Sequence, residues 1–394
     1  MLLETWLVQL KHWMVNLFPA GWQPGVGSLV SVTVILGVFA TLFAVATLLE
    51  RKGLGRIQNR PGPNRVGPFG LFQPVADGIK MLTKEDIVPL TADQVVHFLA
   101  PIVLLAPVTL AFAVIPFGRK LVPIDLDAGL LFFFAVGSAA EVAAFMAGWS
   151  SHNKYSLLGA MRAIAQMISF ELPLVISTMA VIMMSGSLSL VEIVRAQDGG
   201  VFGLIPRWHV LTPWGLAGFL IFFTAALAES NRSPFDLPEG ESEIIGGFMT
   251  EYSGFKYALF FMGEYFGMFA VSGLATTLFL GGWHAPLPFL DRTLVPSFVW
   301  FFGKLLLLLF VFIWLRGTLP RLRVDQLMNF SWKFLLPLAL INLLVVALWR
   351  FTASWPLAGR WALCLVALAA PFVALGAALM RHRHWKPRHY RYAR

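Results

Sequence analysis

The chain has 394 residues, of which 58% are apolar and only 13% charged, with a mean hydropathy of +0.73 and a net charge of +9. A soluble domain of this size covers itself with far more charge, so the composition excludes an ordinary soluble enzyme. Cys364 is the single cysteine, which leaves no pair for a disulfide, a zinc ion or an iron–sulfur cluster.

In chain order, residues 1–26 come first. They hold Trp6, Trp13, Trp22 and one lysine. They lack the continuous apolar core of a cleavable signal peptide, and read either as a short surface segment or as a plain lead-in. A spanning helix needs roughly 20 mostly apolar residues. Stretches of that kind fall near 27–50, 95–117, 128–148, 157–184, 213–229, 257–281, 297–316, 332–350 and 361–380. The expected fold is therefore all-α: a polytopic membrane bundle of about nine transmembrane helices plus amphipathic surface helices, forming one integral membrane domain over 1–394.

Charge divides the connecting segments. Of the Lys and Arg residues, 21 fall on one alternate set of segments, including loop 51–94 and the basic tail 381–394. Eight fall on the other set, and Lys304 lies inside a span. The positive-inside rule then places the N-terminus outside, and loop 51–94 and the C-terminus in the cytoplasm. The basic balance is a topology signal, so no nucleic-acid partner is expected.

Within loop 51–94, residues 60–70 read RPGPNRVGPFG. Proline fixes φ and glycine admits positive φ, so this is an ordered irregular turn. Leu71, Phe72, Val75, Ile79 and Leu82 follow near helical spacing, with Asp77, Lys80 and Lys84 between them. That pattern predicts an amphipathic helix at the membrane surface. The loop is either a plain positive-inside segment or a polar-lined entrance in which Arg and Asp orient a ligand headgroup.

Three carboxylates sit inside apolar spans: Glu141, Glu171 and Glu264. An ionised carboxylate in the bilayer costs a few kcal/mol, and such residues face the protein interior or a hydrated cavity. Glu229 closes the fifth span, where it either joins them or pairs with Arg232. The following run, AESNRSPFDLPEGESEIIGGFMTEY, holds Asp236, Glu239, Glu241, Glu243 and Glu251. A helix cap at Asp236 and Glu239 accounts for two of these acids. Clustered carboxylates share protons, which suits a relay. Lys304 is either a counter-ion to one of the glutamates or a side chain snorkelling to the outer face. None of the eight histidines sits in H-x-x-x-H or HExxH spacing, and no nucleophile triad or phosphate-cradling loop is present. The legible chemistry is acid–base, with no metal and no redox centre expected in this chain.

Four runs carry a resemblance: ERKGLGRIQNRPGPNRVGPFGLFQPVADGIK (50–80), AGWSSHNKYSLLGAMRAIAQMISFELPL (147–174), AESNRSPFDLPEGESEIIGGFMTEYSG (228–254) and RGTLPRLRVDQLM (316–328). Together they resemble the H-subunit family of bacterial respiratory complex I, NADH:quinone oxidoreductase, over roughly residues 27–350. Residues 1–26, 185–212 and 381–394 carry no matching motif. The resemblance implies a membrane subunit that shapes much of the quinone chamber and couples quinone reduction to proton translocation. It implies quinone as substrate, with NADH, FMN and the iron–sulfur clusters held by partner subunits. Those partners are a peripheral arm carrying the terminal cluster and the rest of the membrane arm, within the lipid bilayer of the bacterial inner membrane. Matched by motif, the proton relay is Glu141, Glu171, Glu229, Glu239, Glu241, Glu243, Glu251 and Glu264. The chamber residues are Arg51, Arg65, Asp77, Lys80, Arg316 and Arg321. Two rival readings are the homologous membrane anchor of a membrane-bound hydrogenase and a stand-alone proton-coupled transporter. The long first loop and the PEGESE run favour the quinone form over the first, and the lack of an internal repeat speaks against the second.

Overall fold

The computed structural model describes residues 2–201, 205–237, 246–287, 290 and 295–381. The expected relay acids Glu239, Glu241 and Glu243 lie outside the described residues, as does the tail beyond 381. In chain order the helices are α1 (Leu2–Asn16), α2 (Gln23–Ile57), α3 (Gln73–Thr83), α4 (Gln94–Ala111), α5 (Gly129–Gly137), α6 (Ala139–Ser150) and α7 (Lys154–Ser185). There follow α8 (Leu190–Ala196), α9 (Pro213–Glu229), α10 (Gly254–Phe279), α11 (Ser297–Thr318), α12 (Val324–Phe330), α13 (Leu336–Phe351) and α14 (Leu357–Arg381). A two-residue antiparallel ladder, β1 (Gly200–Val201) with β2 (Ile205–Pro206), is the strand structure among the described residues.

Among the described residues, eight helical stretches are long and apolar enough to cross a membrane, counting α5–α6 and α12–α13 as continuous units, and α9 is a shorter apolar helix. At a rise of about 1.5 Å per residue, α9 is roughly 25 Å long, close to the thickness of a bilayer core. The fold is an all-α polytopic membrane bundle. The central helix is α10, whose most apolar window is 67% buried inside the protein. The corresponding windows of α2 and α14 are only 11% buried and face outward. A helix apolar around its whole circumference belongs either in a core or against lipid, and the bundle uses both. Phe39 of α2 stacks on Phe112 just after α4, with ring centroids 3.7 Å apart. Phe266 and Phe269 of α10 close that aromatic core.

Proline and polar residues set the helix breaks. The unit Gly129–Ser150 is interrupted at Ser138, one turn before Glu141. Beyond Ala111 the chain turns at Phe112 and stays irregular through Pro116 and Gly118, so α4 stops short of the expected 117. Residues Ser331–Leu335 form a π-helical turn between α12 and α13. Pro337 stands two positions beyond it, and its missing N–H removes one rung of the α-helical ladder.

The connections gather at two ends. At the basic end, Asp93 N donates to Ser150 O at 3.0 Å. Ser253 Oγ accepts from Ile87 N at 2.8 Å, and Lys256 pairs with Asp86 at 2.7 Å. At the opposite end, Arg350 donates to Met183 O at 2.6 Å and Ser189 to Asp125 at 3.0 Å. The turn at Gly247–Met249 lies directly on α7. A Cβ on Gly159 would sit 2.7 Å from the Gly247 Cα, so only glycine permits this approach.

Candidate functional site

The first part of the site is the end of α2 with the turn behind it. α2 runs on to Ile57, and residues 58–72 fold back against its last turns. Arg60 N donates to Gly55 O at 2.8 Å, and Lys52 Nζ donates to Phe69 O. Gly70 has φ +75°, and a Cβ there would lie 2.3 Å from Pro63 O. The turn is ordered by these contacts, and it delivers the chain into α3. On α3, Asp77 accepts from Arg51 at 2.5 Å, Gln73 at 3.2 Å and Lys80 at 3.4 Å. Partial burial pushes the Asp77 carboxyl up, but Arg51, through its hydrogen bond and its charge, outweighs this and holds it below the ordinary range. The apolar face of α3 is exposed, with Phe72, Val75, Ile79 and Leu82 each more than half accessible. Arg65 is exposed on the turn. Of the expected chamber residues, the structure thus brings Arg51, Asp77 and Lys80 together.

The second part is one that the sequence motifs do not single out. Glu50, one residue before Arg51, points the other way, into the bundle, and is 4% exposed. Its carboxylate accepts from Arg232 at 3.1 Å, from Arg316 and from the Tyr265 hydroxyl. The Arg232 guanidinium also lies 4.3 Å from the centre of the Tyr265 ring. A buried carboxylate needs partners for its charge, and four chain segments meet here to supply them: α2, α10, α11 and the turn after α9. Arg316, expected in the chamber, belongs to this centre. Arg321 pairs instead with Asp236 at 2.9 Å, so it stands apart from Arg51 and Asp77. The alternative pairing of Glu229 with Arg232 does not form. Arg232 is turned to Glu50, and Glu229 Oε2 is buried without a hydrogen-bond partner among the described residues.

The third part is the carboxylate group. Glu141 on α6 and Glu171 on α7 meet at hydrogen-bonding distance. Two carboxylates have no donor between them, so that contact is a hydrogen bond only when one member carries a proton. Glu229, at the end of α9, lies within electrostatic reach of both. Glu229 and Glu264 line one cavity with Ser230 and Asn231, its other walls being apolar side chains such as Leu104 and Phe133. The cavity holds about 80 Å³ of space open to water-sized molecules. Glu171 lies on the turn loosened by Pro173. Residue 173 has no N–H to offer the Ser169 carbonyl, and Ser331 of the π turn donates to it instead, at 2.5 Å.

Glu251 stands apart from this group, accepting from Asn153 at 2.7 Å beside the start of α7. Next to it, Tyr252 stacks on His97 with ring centroids 3.9 Å apart. Burial pushes the Tyr252 phenol up to about 12, against the opposing hydrogen bond to Ser150. Lys304 donates to the carbonyls of Leu280, Gly282 and His284 at 2.6–2.9 Å. A lysine cation at a helix C-terminus meets the negative end of the helix dipole, so Lys304 caps α10 at the end opposite the basic loops.

A family model described as NADH dehydrogenase matches residues 30–347. The chain is 53% identical to the H subunit of NADH-quinone oxidoreductase from Dehalococcoides mccartyi, over 81% of this chain and 86% of that protein. It is 46% identical to an H subunit of the same enzyme from Koribacter versatilis, covering 82% and 96% of the two chains. It is 49% identical to the H subunit from Rubrobacter xylanophilus, covering 81% and 94%.

Proposed function

The chain belongs to the H-subunit family of NADH-quinone oxidoreductase, and on that premise we propose that its two buried centres join a quinone chamber to a proton relay. As a member it is a multi-pass membrane subunit of complex I, an oxidoreductase whose other subunits are its partners. In this reading the basic end faces the cytoplasm of a bacterial inner membrane and receives the peripheral arm. The N-terminus lies outside. NADH, FMN and the iron–sulfur clusters stay on partner subunits.

Quinone, as substrate, reaches the chamber along the apolar face of α3 and the ordered turn 60–70. Its long tail needs an apolar path and its head a few polar groups. Arg51, Asp77 and Lys80 supply those groups, with Arg65, Arg316 and Arg321 behind them. The relay runs through Glu141, Glu171, Glu229 and Glu264, with Glu239, Glu241, Glu243 and Glu251 of the chain segment after α9 as its entry.

The observation that carries the relay is the contact of Glu141 with Glu171, beside a cavity shared by Glu229 and Glu264. A proton passes directly between carboxyls in contact. The remaining gap is bridged by water, for which a cavity of about 80 Å³ with several polar wall groups has room. The test is quinone reduction in membranes carrying Glu141→Gln, with assembly read on a native gel and proton uptake followed alongside. The expected result is an assembled complex in which reduction and pumping fall together by about tenfold, a loss of roughly 1.4 kcal/mol in barrier terms. Normal rates of both would make Glu141 structural and end the relay assignment.

A further inference from the structure

Gln166 lies on α7, five positions before Glu171, and is 1% exposed. Its amide nitrogen is 2.6 Å from Phe235 O, 2.7 Å from Ala228 O and 3.3 Å from Asn231 Oδ1. Both backbone carbonyls can only accept, so the orientation of the amide is fixed: its NH₂ faces the turn and Oε1 faces away. Its two hydrogens therefore tie both ends of the segment 228–235. That segment carries Glu229, which lines the relay cavity, and Arg232, which pairs with Glu50. It also holds Asn231 at φ +50°, a backbone conformation that a non-glycine residue keeps only when its surroundings enforce it. The Arg232 side is anchored independently, through Glu50 and Tyr265. On the Glu229 side, Gln166 ties the turn to α7 through the Ala228 carbonyl.

We propose that Gln166 is a positioning residue of the proton relay: its two amide hydrogens pin the 228–235 turn and thereby hold Glu229 in register with Glu171 and the cavity. This rests on the relay reading above. Gln166 touches neither quinone nor a transferred proton. It acts through Glu229. Because Arg232 keeps its own anchors, loosening this pin disturbs turnover and leaves quinone binding as it is.

Gln166→Met keeps the length and volume of the side chain and removes both donors, so a space-filling role survives it and a pinning role does not. In assembled complex, checked by native gel and by NADH oxidation with a water-soluble acceptor, the expected result is a fall in kcat for quinone of about tenfold with unchanged KM. Hydrogen–deuterium exchange should quicken across 228–235 and not across α3. Wild-type kcat, or unchanged exchange in that segment, overturns the proposal. Gln166→Asn, which keeps the amide but withdraws it by one methylene, replaces the Met variant if that one does not assemble, with the same loss expected. Failure of both to assemble makes Gln166 an assembly residue and overturns the positioning role. Glu229→Gln, run in parallel, separates the two readings. If it turns over normally, the relay assignment of Glu229 fails whatever Gln166 does. If it is slow while Gln166→Met is normal, only the present inference fails.

Discussion

Glu264 and Tyr265, successive residues of α10, serve two different polar centres. Glu264 lines the cavity shared with Glu229, and the Tyr265 hydroxyl donates to Glu50 in the buried ion cluster. The turn after α9 repeats the arrangement, with Glu229 on the cavity and Arg232 on Glu50. Two backbone segments thus each present one group to the Glu50 ion cluster and one to the carboxylate cavity. If the proposed relay and chamber are coupled, these two shared segments are the shortest covalent connection between the two centres.

Tyr265→Phe removes one donor from Glu50 and leaves the ring contacts with Phe43 and Phe261 in place. A hydrogen bond to a charged group contributes about 1.5–3 kcal/mol. The variant should assemble, lose quinone reductase activity at a lower temperature than wild type, and turn over more slowly at ambient temperature. Thermal inactivation curves of membranes check this. Coincident curves would remove Tyr265 from the centre.

Glu50→Gln should be much more severe. It leaves the guanidinium groups of Arg232 and Arg316 facing a neutral amide inside the bundle. Removing one partner of a buried ion pair costs about 3–5 kcal/mol, because the remaining charge is uncompensated. The expected outcome is a strong fall in assembled complex on a native gel. Glu50→Asp, which retains the charge, should recover part of it. Normal assembly of Glu50→Gln would show that these arginines find other counter-charges.

The sequence makes the bundle legible because a run of some 20 apolar residues has few other structural uses. It makes Glu141, Glu171 and Glu264 conspicuous because charge inside such a run is rare. Glu50 is hidden by its position. It stands where an apolar run meets Arg51 and Lys52, and there it reads as the solvated end of a span. Its helical phase holds the signal: Phe39, Phe43, Ala46 and Glu50 follow one another at spacings of three and four, on the face that packs against α10. Arg232 offers no comparable signal. Its partner is 182 positions away, and pairing across that separation is a product of the tertiary fold. The same holds for the replacement of the Pro173 rung by Ser331, since proline shows which carbonyl is orphaned but not which side chain reaches it.

Asp77 gives a pH-dependent attachment for α3. Its carboxyl is held below the ordinary value of 3.8, with Arg51 as the main lowering partner against the burial that raises it. A depressed carboxylate contributes stability that is fully present above its unfolded value and is lost as pH falls through its folded value. The attachment of α3 to α2 should therefore be unchanged from neutral pH down to about 4 and weaken only below that. Amide exchange across 73–83 measures it, after correction for the intrinsic pH dependence of exchange. Asp77→Asn should show the weakened state at neutral pH as well. Equal protection in Asp77→Asn and wild type at neutral pH would show that the ion pair does not hold the helix.

Gly70 tests whether the turn before α3 guides quinone. Its φ of +75° disfavours any side chain, and a Cβ there would meet the Pro63 carbonyl oxygen at 2.3 Å, in backbone that has no rotamer to yield. Gly70→Ala therefore forces the 63–70 turn open, at about 1–3 kcal/mol of local strain. The Lys52 hydrogen bond to Phe69 O should weaken with it, and α3 should shift relative to Arg51. If this turn shapes the entrance, the apparent KM for quinone should rise by about threefold to tenfold with a smaller change in kcat, the pattern of a lost binding interaction. Gly78→Ala provides the control, since a Cβ at Gly78 on α3 meets no atom within 4 Å. It should leave KM unchanged. A Gly70→Ala complex that assembles and keeps the wild-type KM would place the quinone path elsewhere.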